Sequence, residues 1–299
     1  MIGDVVGDPG LEILERQLPL LIKENSADFA IVNGENAAAG FGLTLPHLER
    51  IFAAGADVVT NGNHVWEKRE FWPVLNSEKR VLRPMNYPEG SPGRGWVRLE
   101  KPCAHSGKPV TWLTVNLQGR ELMSSIDCPF RTFDAFENEI RSPNLLGDGA
   151  PVEAKVLIGD KTPNRNKSSI GEEIPMENPV ILIDFHAESS REKEALAYYL
   201  DGRVSVVAGT HTHVQTADER ILPKGTAYIT DLGMTGSQDG IIGMDPKICL
   251  DRARNQVLYR MEVANSGSAA GEGKTAVHGI VVEIDGETRK AISIKRISA

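Results

Sequence analysis

Val204-Ser205-Val206-Val207-Ala208 is a short apolar run that leads straight into Gly209-Thr210-His211-Thr212-His213-Val214. A run of this length reads as a buried strand, and a strand sets residues i and i+2 on one face. Both imidazoles are therefore expected to leave the strand end together, aimed at one point as a metal site requires. Taken alone, the pair is equally a pair of solvated or core histidines, so its meaning depends on what else the chain brings to strand ends.

The same arrangement of apolar run, polar strand end and helix-spaced segment recurs along the chain. Ile2 to Val6 is a strand fragment carrying Asp4, followed by a glycine-rich turn and helical spacing of Leu11, Leu14, Leu18 and Leu21. On its own Asp4 reads as a turn or capping aspartate. The turn lacks the three glycines of a dinucleotide fingerprint. Phe29 to Asn33 is a second strand, ending in Gly34-Glu35-Asn36, and Ala56 to Thr60 a third, ending in Asn61-Gly62-Asn63-His64. Helices are expected at 45–54, 131–140 and 190–200, and further strands at 110–116 and 226–230. Pro179 to His186 is a strand with His186 at its end, and 255–263, 278–285 and 290–297 alternate like antiparallel strands. The segment 145–178, rich in Pro, Ser, Asn, Lys and Glu, reads as an insertion or flap in one domain spanning 1–299, and Ser266 to Lys274 as a flexible turn. Arg83, in Arg83-Pro84-Met85-Asn86-Tyr87-Pro88, is either a phosphate contact or a solvated turn residue. His47, His105 and His278 read as structural.

Composition narrows the function. The chain has 299 residues, 40% hydrophobic and 25% charged, and a net charge of -8. An acidic surface argues against long nucleic acid and anionic membranes but admits a small anion beside a local cation. No secretory leader or membrane span is visible, and Cys103, Cys128 and Cys249 are odd in number and widely spaced, as in reduced thiols of a cytoplasmic protein. A homo-oligomer is compatible with all of this.

The polar strand ends supply Asp4, Glu35, Asn36, Asn63, His64, His186, His211 and His213, all oxygen or nitrogen donors. That is more than the about four to six a single cation takes, so two cations sharing a bridging carboxylate fit the list better. Paired cations are suited to phosphate ester cleavage, since they neutralise both the attacking and the leaving oxygen.

The order G-D, G-E-N, G-N-H, F-H and G-T-H-T-H resembles the calcineurin-like metallophosphoesterases, and more narrowly their YmdB-type bacterial branch. The branch stretches are Ile2 to Gly7, Asn33 to Ala37, Gly62 to Trp66, Arg83 to Pro88, Asp184 to Glu188, Gly209 to Asp218 and Thr226 to Gly236. The resemblance implies a four-layer α/β fold, two mostly mixed β-sheets packed face to face and flanked by helices. It implies two divalent or trivalent metal ions, iron or manganese, the first held by Asp4, Glu35 and His213 with Asn36, the second by Glu35, Asn63, His186 and His211. His64 would orient the phosphate or protonate the leaving oxygen. The implied reaction is in-line hydrolysis by metal hydroxide of small phosphodiesters, with 2',3'- or 3',5'-cyclic nucleotides foremost.

Two departures stand out. Val6 occupies the place of the D-x-H histidine, and only three residues precede Asp4, so either the start is assigned too late or, if Met1 is the true start, the first strand is short and open to fraying. Two other readings compete. Amidohydrolases also use H-x-H, but on a first strand followed by a barrel, which this pattern does not show. A regulatory or scaffolding protein of the same fold, with weak turnover, is the non-enzymatic alternative.

Overall fold

A computed structural model describes residues 1–141, 178–264 and 273–299. The fold is mixed α/β with several sheets. The excursion expected over 145–178 lies outside the described residues except for Asn178, and the turn at 266–274 does so up to residue 272.

The largest sheet has six strands, which in chain order are β4 (Trp96–Pro102), β5 (Pro109–Gln118), β6 (Val180–His186), β7 (Val206–Thr210), β8 (Arg220–Ile221) and β9 (Ala227–Ile229). Their spatial order is β4-β5-β6-β7-β9-β8, with parallel pairing from β5 to β9 and antiparallel edges. The remaining strands among the described residues are β1 (Asp4–Val5), β2 (Ile31–Asn33), β3 (Val58–Thr60), β10 (Met234–Ser237), β11 (Thr275–Ala276), β12 (His278–Ile284) and β13 (Ala291–Ser298). Here β2 runs parallel to β3, β1 parallel to β10, and β12 antiparallel to β13, while Ile2 bridges to both Val32 and Gly279.

Among the described residues the α-helices are α1 (Gly7–Glu24), α2 (Leu45–Ala53), α3 (Trp72–Ser77), α4 (Pro129–Ile140), α5 (Ser190–Leu200) and α6 (Pro246–Asn255). Leu11, Leu14 and Leu18 of α1 and Leu48 and Ile51 of α2 pack on Val32 and Val59, in one apolar cluster. On the six-stranded sheet, Phe133 and Phe136 of α4 and Leu196 and Leu200 of α5 cover Ile181, Ile183 and Phe185. Between lie Ile31, Val58, Leu182, Val206 and Ala208, which come from both sets of strands.

This alternation positions the site. Strand side chains alternate faces, so two residues beyond Ile31, Val58 and Leu182 the same inner face carries Asn33, Thr60 and Asp184, and His186 follows. The space between the strand sets is therefore apolar in its middle and polar at the carboxyl ends.

Three expectations are corrected. β1 is short but not frayed: Ile2 N donates to Ile31 O at 2.8 Å, Gly3 N to His278 O at 2.9 Å and Val6 N to Thr235 O at 2.9 Å, tying both flanks down. The alternating segment 255–263 is no strand. After α6 closes at a left-handed Gln256 (φ 55°), Val257 and Leu258 are exposed, and within the segment only Val263 makes a bridge, to Met244. Alternation records a taste for extended backbone, but a strand also needs a free neighbouring edge. Arg83 is not solvated; it is buried and donates to the carbonyls of Pro84 and Met85 at 2.9 and 3.2 Å.

Candidate metal centre

All eight predicted residues lie at the carboxyl ends of strands: Asp4 in β1, Glu35 and Asn36 after β2, Asn63 and His64 after β3, His186 closing β6, and His211 and His213 after β7. Three of them converge on one atom of a fourth. His186 Nε2 lies 2.8 Å from Glu35 Oε1, 3.0 Å from His211 Nδ1 and 3.2 Å from Asn63 Oδ1. One imidazole nitrogen carries a single proton or a single lone pair, so it cannot satisfy three such partners with hydrogen bonds. A cation among them accepts a lone pair from each. Glu35, His186 and His211 accordingly offer ligand atoms all within 4.8 Å of one another.

The far side of His186 is set to match. Thr210 Oγ1 gives its proton to Asp184 Oδ1 at 2.7 Å and so accepts from His186 Nδ1 at 2.9 Å. That assigns the ring proton to Nδ1 and frees Nε2, as a metal-binding histidine requires. Asp184, also bonded by Asn33 and Thr60, is the buried anchor of this relay. His211 is held likewise, with Nε2 at 3.2 Å from Glu188 Oε2 and Nδ1 turned inward.

Asp4, Asn36 and His213 lie beside this group rather than in it. Asp4 Oδ2 accepts from His211 N at 3.3 Å, and its Oδ1 is 3.8 Å from His186 Nδ1. Asn36 Nδ2 donates to Gly40 O at 2.9 Å. Asp4 Oδ1 and Asn36 Oδ1 are buried with no protein partner, two orphaned oxygens that fit a second cation. His213 Nδ1 meets Ile242 O at 2.9 Å, which leaves Nε2 free, and its charge acts on Asp4. The missing D-x-H donor has no substitute at Val6, which packs with Met234 and Met244.

The expectation that the two loop histidines leave a strand as a same-face pair is corrected. β7 ends at Thr210, and His211 and His213 have φ of 99° and 65°. Left-handed backbone at two non-glycine residues turns the imidazoles apart, one to His186 and one to Asp4 and Ile242. The loop is braced from below by Lys193, fully buried, whose Nζ is 2.7 Å from Asp231 Oδ2; the same carboxylate accepts from Thr212 N at 3.2 Å and Gly233 N at 2.8 Å.

His64 N donates to Glu35 Oε2 at 3.2 Å, while its ring sits 3.4 Å from Glu67 Oε1 through Nδ1 and edge-on to Phe41. The backbone at Gly62 passes so close that a Cβ there would fall 2.1 Å from His186 Cδ2 and 2.4 Å from Glu35 Oε2. Asp184, Thr210, Glu188 and Gly62 lie in stretches that the sequence reading marked, but it gave them no role of their own. A charged residue two places before His186 in an otherwise apolar strand was the available signal for Asp184.

The protonation states report the same need for positive charge. Burial alone would raise Glu35, but the neighbouring imidazoles, His186 foremost, hold it down at about 2. Burial would lower His186, yet Glu35 and Asp4 push it up to about 9. Burial, and then His186, depress His211 to about 3, and burial raises Asp4 to about 6. In the metal-free protein a proton on His186 thus fills the place that a cation would take. A histidine raised on folding stabilises fully below its ordinary value of about 6.5 and loses that contribution as pH rises to about 9. Chelated protein should therefore lose up to about 3 kcal/mol between those pH values, read by denaturant midpoints. A flat profile there would contradict the assignment.

The family described as YmdB-like protein matches residues 1–147 and 152–297. The 2',3'-cyclic-nucleotide 2'-phosphodiesterase of Bacillus subtilis (strain 168) is 41% identical over 296 residues, 99% of this chain and 94% of that one. A crystal structure from Thermus thermophilus, titled a hypothetical protein, superposes with a TM-score of 0.78 at 36% identity, covering 100% of this chain and 97% of that chain. A crystal structure titled a novel phosphatase, from Mycoplasma pneumoniae, gives 0.77 at 27% identity, covering 100% and 91%.

Proposed function

Since this chain belongs to the YmdB-like protein family, we propose that it is a metal-dependent phosphodiesterase acting on small phosphodiesters, 2',3'-cyclic nucleotides first among them. The observation that carries this is the convergence of Glu35, Asn63 and His211 on His186 Nε2, a donor set suited to a shared cation.

In this reading Glu35, Asn63, His186 and His211 would hold one metal ion, and Asp4, Glu35 and His213 with Asn36 would hold a second. When bound, the ions, iron or manganese, supply positive charge against the phosphate oxygens and acidify water for attack in line with the departing ribose oxygen. The remaining work falls to the chain. Glu67 beside Nδ1 leaves His64 Nε2 to face the substrate and give a proton to the leaving oxygen, which by analogy with the Bacillus relative is the ribose 2' oxygen. Asp184 and Thr210 keep His186 in one tautomer. The finer fold reading, a four-layer sandwich in one domain, draws support from three apolar clusters: helices on β2 and β3, helices on the six-stranded sheet, and a cluster shared by both strand sets. The proposed compartment is the cytoplasm, in keeping with three unpaired cysteines. Among the described residues no helix is long and apolar enough to cross a membrane.

The test combines elemental analysis with a panel of 2',3'-cyclic, 3',5'-cyclic and linear diesters. Chelation should abolish hydrolysis, and Mn²⁺ or Fe²⁺ should restore it; full turnover by demetallated protein would end the proposal. His64→Ala should lower kcat about 100- to 10,000-fold at unchanged metal content. Unaltered turnover would remove His64 from the chemistry.

A further inference from the structure

We infer that the cavity between the start of α1, the Asn36–Gly42 turn and residues 260–263 is a nucleobase subsite, an inference that rests on the phosphodiesterase reading. The cavity holds about 620 Å³, within the range usual for small-molecule sites. Phe41, Met261 and Val263 provide its apolar lining, and Glu12, Lys68 and Arg260 stand among its polar groups.

Two contacts join it to the metal centre. The Phe41 ring that lines the cavity also packs edge-on against the His64 ring, with centroids 4.9 Å apart at 76°. On the other side, Val263 sits directly on glycines: a Cβ at Gly7 would fall 2.7 Å from its Cγ1, and one at Gly40 3.1 Å from its Cγ2. Gly7 N in turn donates to Asn36 O at 3.0 Å. The cavity therefore borders the turn that presents Asn36 and shares the Phe41 ring with His64, which puts it beside the place proposed for the phosphate.

The lining selects the class of group. An aromatic ring and a thioether suit a flat heteroaromatic body, since every base has a π face and thioether sulfur packs well on aromatic rings. Around them, a carboxylate accepts from ring and exocyclic N–H groups while Lys68 and Arg260 donate to carbonyl and ring nitrogen acceptors. A simple alkyl diester would leave those polar groups unused.

The test compares a 2',3'-cyclic nucleotide with glycerol 1,2-cyclic phosphate, which has the same five-membered diester and no base. Wild-type enzyme should prefer the nucleotide in kcat/KM, and Met261→Ala and Phe41→Leu should each narrow that preference about tenfold. Phe41→Leu keeps bulk against His64, and Met261→Ala lies away from it, so a folding or His64 defect would lower both rates together and leave the preference intact. An intact preference in both variants overturns the subsite. If wild-type enzyme cleaves neither diester, the phosphodiesterase reading fails instead, and saturation-transfer NMR with a free nucleoside still decides the subsite. Transfer that weakens in both variants supports it, and no transfer to wild-type protein overturns it.

Discussion

Glu35→Gln is expected to reduce phosphodiester turnover by at least about 1000-fold, the equivalent of roughly 4 kcal/mol at the transition state. The substitution keeps shape and volume and removes one charge. That charge holds His186 up at about 9 and is itself held at about 2 among three imidazoles. A neutral amide removes the counter-charge for the proposed cations, so metal content should fall together with rate. The same variant carries an internal check: without Glu35 the decline in stability of chelated protein above about pH 6.5 should flatten. Retention of both ions with turnover within tenfold of wild type would refute the bridging role.

The second large effect is on stability. Lys193→Met should destabilise the fold by about 3–5 kcal/mol, because it leaves Asp231 charged and buried with no counter-ion. Denaturant midpoints measure the loss. In Lys193→Met/Asp231→Asn neither charge remains, so the double variant should cost well under the sum of the two single variants. Since Asp231 also fixes the amides of Thr212 and Gly233, metal affinity should weaken in Asp231→Asn even where the fold survives. A Lys193→Met protein within about 1 kcal/mol of wild type would show that the pair does not brace the histidine loop.

Most of the architecture was legible because each buried strand is an apolar run of the right length. β6 and α5 fall almost where periodicity puts them, at Val180–His186 and Ser190–Leu200. The candidate donors were legible for a related reason: a polar residue just past an apolar strand has little to gain there from packing. What escaped was whatever depends on a partner distant in sequence. Nothing local shows that Asp184 will receive Asn33 and Thr60, or that Lys193 will be buried against Asp231. The same limit explains 255–263, whose alternation is real but finds no strand edge, and the loop histidines, where left-handed backbone at His211 and His213 replaces the alternation that a strand would impose. Periodicity reports the preference of a segment; tertiary neighbours decide whether it is exercised.

The donors gathered around His186 come from both strand sets and from positions as far apart in the chain as Glu35 and His211. They meet only once the two strand sets have docked, so the proposed ion capture has to wait for that docking. Loading with metal would then work as a ratchet on maturation, drawing the closed population forward by mass action and withdrawing it from proteases that feed on partly open chains. Cellular metal supply would in this way set the lifetime of the protein as well as its rate.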